Sequence, residues 1–172
     1  MSLSYVNPQA PRGTIYRALT ALMGTQAALR LSRTRAWRFL VWRLDPYLMR
    51  LTRGRIGMGG MLPTALLVTR GARSGQVRRN AVIYFNDGER VTVVASKAGA
   101  PEHPSWFHNL RANPDVLLGG QRFRAEVVRD EAERARLWEL GDRVFPAYAA
   151  YRRQAATVGR TIPIVQLIPR GS

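Results

Sequence analysis

The alternation of apolar and polar positions after residue 63 predicts at least five short antiparallel strands. The apolar run TALLVTR, Thr64–Arg70, has the length of one strand and is followed by the polar turn GARSGQ. The sequence NDG at 86–88 separates two further runs and predicts a tight hairpin, and GG at 119–120 separates another pair. A final strand is predicted in RTIPIVQLIP, close to the end of the chain.

Helical periodicity occurs between these strands. HPSWFHNLRANP predicts a short helix that has Pro104 in its first turn and ends at Asn113. The segment 130–159 predicts a pair of helices that break near Pro146. Antiparallel strands with inserted helices are typical of an α+β domain, so we predict a small β-barrel with helices packed outside it, not an alternating βαβ nucleotide fold.

The segment 14–53 predicts an N-terminal helical arm with a break at Asp45. Its apolar residues recur at helical spacing, and arginines fill many of the other positions. These apolar residues are Leu19, Leu22, Met23, Trp37, Leu40, Val41 and Leu44. The stripe either covers the core of the domain or lies on an anionic membrane surface, with tryptophans at the boundary. We divide the chain into this arm, 1–55, and a barrel, 56–170, within one domain overall.

The composition narrows the choice of chemistry. A chain of 172 residues fits one domain with an ordinary core, and the lack of cysteine excludes disulfides and thiolate-ligated metals. Two histidines without a pattern of carboxylates predict no metal site. The sequence contains no run of eighteen apolar residues and no apolar signal segment, so we expect a cytoplasmic protein.

The net charge of +16 predicts an acidic partner. Residues 1–55 contain ten arginines and one acid, which gives them a net charge of +9. Nucleic acid is one candidate, but the arginines form no base-reading motif and the aromatic residues are not interleaved with them. We therefore expect no nucleic-acid binding, and an acidic small molecule or a membrane surface instead.

Two segments of the predicted barrel are suited to an anion. In TRGARSGQVRRN, 69–80, a strand leads into a turn with four arginines, whose guanidinium forks bind phosphate or carboxylate. In SKAGAPEHPSWFHN, the only lysine of the chain, Lys97, follows a strand and precedes the start of a helix. The structural alternatives are a solvated hairpin for the first segment and, for the second, a connection that Trp106 anchors in the core.

A third segment, FPAYAAY, places Phe145, Tyr148 and Tyr151 at three-residue spacing on one helix. It forms either an aromatic packing stripe or the edge of a pocket in which a phenol donates a proton. No nucleophile–histidine–acid set and no pair of carboxylates accompanies it.

Together the three segments resemble the deazaflavin-dependent nitroreductase and quinone reductase family. The resemblance is carried by TRGARSGQ, then VVASKAGA and HPSWFHNLRANPDV, then FPAYAAY and RTIPIV, and it extends over about residues 58–168. It implies a split β-barrel that binds coenzyme F420, a 5-deazaflavin with a phosphate and an acidic poly-glutamate tail. FMN is the alternative cofactor, because related split barrels use it.

The resemblance also implies roles for individual residues. Those expected at the cofactor are Arg73, Ser74, Gln76, Arg78, Arg79, Asn80, Ala95, Ser96, Lys97, Ala98, Pro104 and Trp106. The arginine-rich part would hold the phosphate and tail, and the part around Lys97 would hold the deazaflavin. The expected substrate pocket consists of Ile83, Phe145, Tyr148 and Tyr151, and the expected catalytic residues are Tyr148 and Ser96.

The implied activity is hydride transfer from reduced F420 to a small lipophilic acceptor such as a menaquinone-like quinone. The family's best-studied pattern has tyrosines at the positions of Ile83 and Phe145, where phenols would orient or protonate a nitro group. We therefore expect weak or absent nitroreduction, with quinone reduction through Tyr148. The arm, 14–53, would contact the inner face of the cell membrane. The alternative is a non-catalytic deazaflavin- or lipid-binding protein, and we expect a monomer or a dimer.

Overall fold

The computed structural model describes residues 3–23, 25, 27, 34 and 62–170. The strands within them are β1 (Thr64–Arg70), β2 (Val77–Asp87), β3 (Arg90–Val94), β4 (Asp115–Leu118), β5 (Gln121–Val127) and β6 (Ile164–Pro169). The helices are α1 (Thr14–Leu22), α2 (Ser105–Ala112), α3 (Glu131–Val144) and α4 (Ala147–Ala156), and Lys97–Gly99 forms a 3₁₀ turn. The strands and helices predicted after residue 63 are thus present. Pro104 is the N-cap of α2 and lies just before its first turn.

The six strands form one closed antiparallel barrel in the order β1-β2-β3-β6-β5-β4. The last strand, β6, lies between β3 and β5, so that Val165 pairs with Val93 on one side and with Val127 on the other. Positive φ angles of 56° and 86° at Gly119 and Gly120 form the tight turn between β4 and β5. The predicted α+β barrel with helices outside it is confirmed.

The alternation along the strands divides the apolar residues into two clusters. Leu67, Val93 and Leu167 point into the barrel and are fully shielded from solvent. Residues on the opposite face of the strands, such as Phe85 and Ile164, belong to a second cluster. Helices α3 and α4 cover this cluster on the outer face of the barrel. The candidate site described below borders this outer cluster.

The start of the chain packs onto the barrel. The Val6 N–H donates to Asn86 Oδ1 over 2.8 Å, and the Asn86 N–H donates to the Val6 carbonyl over 2.9 Å. In α1 the buried residues are Tyr16 and Thr20, whereas Leu22 is 66% exposed. Leu22 of the predicted apolar stripe therefore does not cover the core, whereas Tyr16 and Thr20 lie on the buried face of this helix.

The rest of the predicted arm, including Trp37 and the break at Asp45, lies outside the described residues. Within the described ranges, no helix combines the length and the apolar character that are needed to cross a membrane. The same ranges contain no group of three or more histidine, aspartate or glutamate side chains arranged to hold a metal ion.

Candidate active site

A groove is expected where β2 extends beyond β3. Residues Val77–Ile83 of β2 pair with β1, whereas only Tyr84–Asp87 pair with β3. Along Val77–Ile83, one edge of β2 therefore has no strand beside it among the described residues. At about 3.3 Å per residue this edge is about 20 Å long. Because β1 and β3 run in the same direction, the turns that follow them lie at the same end of the barrel.

The basic turn after β1, residues 71–76, is held by its own backbone and by α2. The Gly71 N–H donates to the Gln76 carbonyl over 2.8 Å, and the Gly75 N–H donates to the Gly71 carbonyl over 2.9 Å. The side chain of Asn109 in α2 accepts a hydrogen bond from the Ala72 N–H over 3.0 Å. The backbone of the turn is thus fixed, while Ser74 and Gln76 stay exposed to solvent.

Three exposed arginines, Arg73, Arg78 and Arg79, project from the basic turn and the start of β2. Arg78 donates to Gln76 Oε1 over 3.0 Å, and none of the three forms an ion pair with a described residue. Successive side chains of a strand point to opposite faces, so Arg78 and the half-buried Asn80 share one face of β2 and Arg79 lies on the other. Together they offer cations without carboxylate partners at one end of the groove.

The turn after β3 has a backbone conformation that side chains rarely adopt. Lys97 and Ala98 have φ angles of 47° and 50°, and Gly99 follows with 71°. For residues with a Cβ this left-handed region costs about 1–2 kcal/mol each. A Cβ on Gly99 would lie 2.9 Å from the Tyr151 carbonyl oxygen, which shows how closely the turn approaches α4. Strain of this kind is concentrated at functional sites, where the surrounding structure enforces it.

Arg160 enforces this conformation. Its side chain is buried, with 8% of the residue exposed, and the guanidinium donates to the backbone carbonyls of Ala95, Ser96 and Ala100. Its Nε–H donates to Nδ1 of His103 over 3.1 Å. Burial lowers the pKa of Arg160, and the carboxylate of Glu102 opposes that effect. We name these contacts the Arg160 clamp.

Lys97 points outward from the same turn. Its Nζ lies 2.8 Å from Glu102 Oε2, and the two side chains are 42% and 77% exposed. The hydrogen bond from Lys97 lowers the pKa of the Glu102 carboxyl. Exposed ion pairs contribute little to stability. The ammonium can therefore exchange this carboxylate for an anionic group of a ligand at little cost.

The predicted substrate residues lie together in the outer cluster, where Phe145, Tyr148 and Tyr151 are buried and Ile83 is partly exposed. The ring centroid of Tyr148 is 5.0 Å from that of Phe145 and 6.3 Å from that of Tyr151, and Ile83 packs against the same cluster. Ala98 of the strained turn also packs there, so the turn and the aromatic residues adjoin. Burial raises the pKa of both tyrosine phenols. Each phenol therefore keeps its proton at neutral pH.

Three predicted cofactor residues are buried. Ala95 is fully buried, Pro104 is buried, and Trp106, 6% exposed, belongs to the cluster inside the barrel. Arg160 is a site residue that sequence reasoning did not select, although it begins the motif RTIPIV. Its partners are 57 to 65 positions away along the chain, so local periodicity contains no sign of the contact.

Comparison with known proteins identifies the family to which the chain belongs. Residues 41–169 match the family model of the F420H(2)-dependent quinone reductases. The chain belongs to this family. The F420H(2)-dependent quinone reductase Rv1261c of Mycobacterium tuberculosis is 38% identical over 136 residues, which cover 74% of this chain and 89% of the relative.

Solved structures agree with the family assignment. An F420-H2 dependent reductase, FDR-A, is 34% identical and superposes with a TM-score of 0.53 over 61% of this chain and 93% of the other. A second structure, a domain-swapped dimer, is also 34% identical, with a TM-score of 0.54 over 61% of this chain and 79% of that one. The barrel of the F420H(2)-dependent quinone reductase family is thus a split β-barrel, as the sequence predicts.

Membership makes this chain an F420H2-dependent reductase and makes coenzyme F420 its cofactor. The residues of the groove fit that cofactor. Unpaired guanidinium groups at one end suit a phosphate and an acidic tail, and the partly exposed apolar side chains of Ile83 and Ala98 at the other end suit a flat ring. The length of about 20 Å at the β2 edge suits an elongated molecule better than a compact one.

Proposed function

We propose that this member of the family transfers hydride from F420H2 to a quinone-like lipophilic acceptor that lies against Ile83, Phe145, Tyr148 and Tyr151. The observation that carries the proposal is the contact of the strained turn with the aromatic cluster. Ala98 packs on the cluster, and Gly99 lies against the backbone of Tyr151 in α4. A ring held at the turn would therefore lie beside the cluster, and the partly exposed Ile83 would offer apolar contact to a second flat molecule.

Different residues of the groove would bind different parts of F420. Arg73 and Arg78, with Arg79, Ser74, Gln76 and Asn80 around them, would hold the phosphate and the poly-glutamate tail through charge-assisted hydrogen bonds. Ser96, Lys97 and Ala98 would hold the deazaflavin, with the ammonium of Lys97 released from Glu102. Ala95, Pro104 and Trp106 would support this end from the barrel core.

The chemistry requires one hydride and one proton. Bound F420 in its reduced form supplies the hydride, while the protein positions the reactants. Quinone reduction also consumes a proton at oxygen, and the Tyr148 hydroxyl would donate it. Burial raises the pKa of the phenol, so Tyr148 carries its proton when the hydride arrives and would release it only to a strongly basic oxygen of the reduced acceptor. Ser96, the other expected catalytic residue, would orient the ring from the turn.

Nitro compounds should be poorer acceptors. Ile83 and Phe145 have hydrocarbon side chains, so the two hydrogen-bond donors that the family's best-studied pattern would offer a nitro group are replaced by apolar groups. A quinone carbonyl needs fewer donors and gains from apolar contact. We therefore expect slow or undetectable turnover of nitroimidazoles.

Cofactor binding is the first test. Titration of F420 fluorescence should show tight binding, with FMN in parallel binding weakly or not at all. Lys97→Ala and Arg78→Ala should each weaken F420 binding about tenfold, whereas Arg122→Ala, an exposed arginine at the start of β5, should not. Equal effects of the three substitutions would show that only overall charge matters and would remove the groove from the proposal.

Turnover is the second test. Oxidation of F420H2 by menadione should fall about 10²-fold in Tyr148→Phe, since general acids contribute about 10²–10⁴-fold. F420 affinity should be unchanged, and Tyr151→Phe should have a smaller effect. Menadione turnover that survives Tyr148→Phe would assign the proton to another group. Nitroimidazole turnover equal to that of menadione would contradict the acceptor class, and F420 binding without any turnover would favour the non-catalytic alternative.

The membrane contact of segment 14–53 also stays a proposal. Its support among the described residues is the exposed apolar side of α1, where Ile15 is 74% and Leu22 66% exposed next to the exposed Arg17. Co-sedimentation with vesicles containing anionic lipid should exceed that with neutral vesicles. Equal sedimentation with both, or none with either, would remove the membrane from the proposal.

A further inference from the structure

A second cavity, separate from the groove, opens between α2, the end of β5 and the segment before β6. Its volume is about 340 Å³, near the lower end of the range of about 300–1,000 Å³ for small-molecule sites. Its lining includes none of the cofactor or substrate residues described above. It does include His103, the imidazole partner in the Arg160 clamp.

Three arginines from separate elements converge on this cavity: Arg111 from the last turn of α2, Arg129 from the loop after β5 and Arg134 from α3. No acidic residue lines it. Arg111 and Arg129 form no ion pair with a described residue. The cavity thus gathers three positive charges, of which only that of Arg134 has a carboxylate partner among the described residues.

Arg134 is incompletely satisfied. Its side chain is 17% exposed, and its buried Nε has no hydrogen-bond partner among the described residues. The Nε lies 3.3 Å from Glu131 Oε2, which is an ionic contact without hydrogen-bond geometry. A buried N–H without an acceptor is costly. An anion in the cavity would supply the missing acceptor.

His103 contributes a donor of defined tautomer. Because its Nδ1 accepts from Arg160, the neutral ring carries its proton on Nε2. Burial lowers the pKa of His103, and the positive charges of Arg160, His108 and Arg111 act in the same direction. At neutral pH the imidazole is therefore an uncharged N–H donor at the cavity wall.

Apart from Thr161, the remaining walls are apolar. Phe107 is 4% exposed, and Val127 and Pro163 complete the hydrocarbon surface. The guanidinium carbon of Arg111 lies 6.0 Å from the centroid of the Phe107 ring. A flat apolar group could therefore lie on this surface while a charged group at its end meets the guanidinium forks.

We propose that this cavity binds a small organic anion, a carboxylate or phosphate on an apolar body, at a site distinct from that of F420. Guanidinium groups and the imidazole N–H take the charged end, and Phe107, Val127 and Pro163 take the body. The site does not depend on the acceptor or on hydride transfer.

The test uses the whole protein without cofactor, with benzoate and inorganic phosphate as probes. The chain has two histidines, so the imidazole NMR spectrum of ¹⁵N-histidine-labelled protein is simple and His108→Gln assigns it. Benzoate should shift the His103 signals in a saturable way. Phosphate should bind several-fold more weakly, because it lacks the apolar body.

Variants locate the binding. Arg129→Glu, a change in an exposed loop that should leave the fold intact, should weaken benzoate binding at least tenfold, and Arg111→Gln should weaken it less. The double variant Arg73→Ala with Arg78→Ala should bind benzoate unchanged. The proposal is overturned if His103 does not respond, if the response survives Arg129→Glu, if the double variant abolishes it, or if phosphate binds as tightly as benzoate. None of these outcomes bears on F420 binding in the groove.

Discussion

Two sets of arginines at one end of the barrel have opposite environments. Arg160 is buried, and four acceptors of the protein itself take its hydrogen bonds. Arg73, Arg78 and Arg79 are exposed and form no ion pair with a described residue. The first arginine shapes the site, and the others are available to a ligand. In a chain with a net charge of +16, burial and partners distinguish these roles, whereas charge does not.

The largest expected effect is on stability when the clamp is removed. Arg160→Met leaves one buried carbonyl, two partly buried carbonyls and an imidazole nitrogen without their donor, so the free energy of unfolding should fall by about 3 kcal/mol. Arg78→Ala should change it by no more than about 0.5 kcal/mol. Urea unfolding followed by circular dichroism measures both changes. Similar losses of unfolding free energy in the two variants would contradict the distinction between buried Arg160 and the exposed arginines.

A methyl group on Gly99 should have the next largest effect. Gly99→Ala adds a Cβ at a φ of 71° and 2.9 Å from the Tyr151 carbonyl oxygen, so we expect a loss of about 2 kcal/mol. Gly75 in the basic turn is the matched control, since it has a φ of 66° but open space around it. Gly75→Ala should cost about 1 kcal/mol, from backbone strain alone. Equal thermal shifts in the two variants would mean that the contact with α4 contributes nothing.

Relief of backbone strain at Ala98 should raise the free energy of unfolding by a smaller amount. Ala98 has a φ of 50°, so Ala98→Gly should stabilise the protein by about 0.5 kcal/mol after the greater flexibility of the unfolded glycine chain is subtracted. In the basic turn Ala72 has no positive φ, and Ala72→Gly should destabilise the protein instead. A loss of stability in Ala98→Gly would indicate that the left-handed conformation is not strained.

The smallest expected effect is a pH dependence at the clamp. Because the pKa of His103 is lowered in the folded protein, the unfolded chain binds its proton more readily. The stability from neutral His103 is therefore complete above the ordinary pKa of about 6.5 and is lost as the pH falls below it towards the folded value. The difference in unfolding free energy between pH 7.5 and 5.5 should be smaller in His103→Gln. An unchanged difference would contradict a role for this histidine.

Local sequence patterns were sufficient for the strands and helices of the barrel, whereas the prediction of the site came from the resemblance of three segments to one family. Alternation located the strand Thr64–Arg70, and the glycines at 119–120 located a turn that only positive φ angles allow. The order of three motifs suggested that the basic turn, the Lys97 turn and the aromatic helix belong to one site. In the structure, Ala98 of the Lys97 turn contacts the aromatic cluster.

Long-range polar contacts could not be predicted from local sequence patterns. Arg160 joins residues 57 to 65 positions earlier, and its use as a buried donor depends on carbonyls that only the folded turn presents. The positive φ angles of Lys97 and Ala98 contradict local sterics, so only tertiary contacts explain them. On α1 the apolar spacing did not reveal that Leu22 is exposed or that two polar side chains are buried, namely Tyr16, which donates to the Val144 carbonyl, and Thr20.

The position of β6 between β3 and β5 has a consequence for how the chain folds. Each of these strands keeps an open edge until residues 164–169 arrive, and pairs such as Val91 with Leu167 span most of the barrel sequence. Contacts of such long range make folding slow and leave hydrogen-bonding edges exposed to other chains in the meantime. Arg160 enters just ahead of β6. During synthesis on the ribosome, barrel closure and the shaping of the Lys97 turn therefore wait for residues 160–169, so a chain that stops before them lacks both.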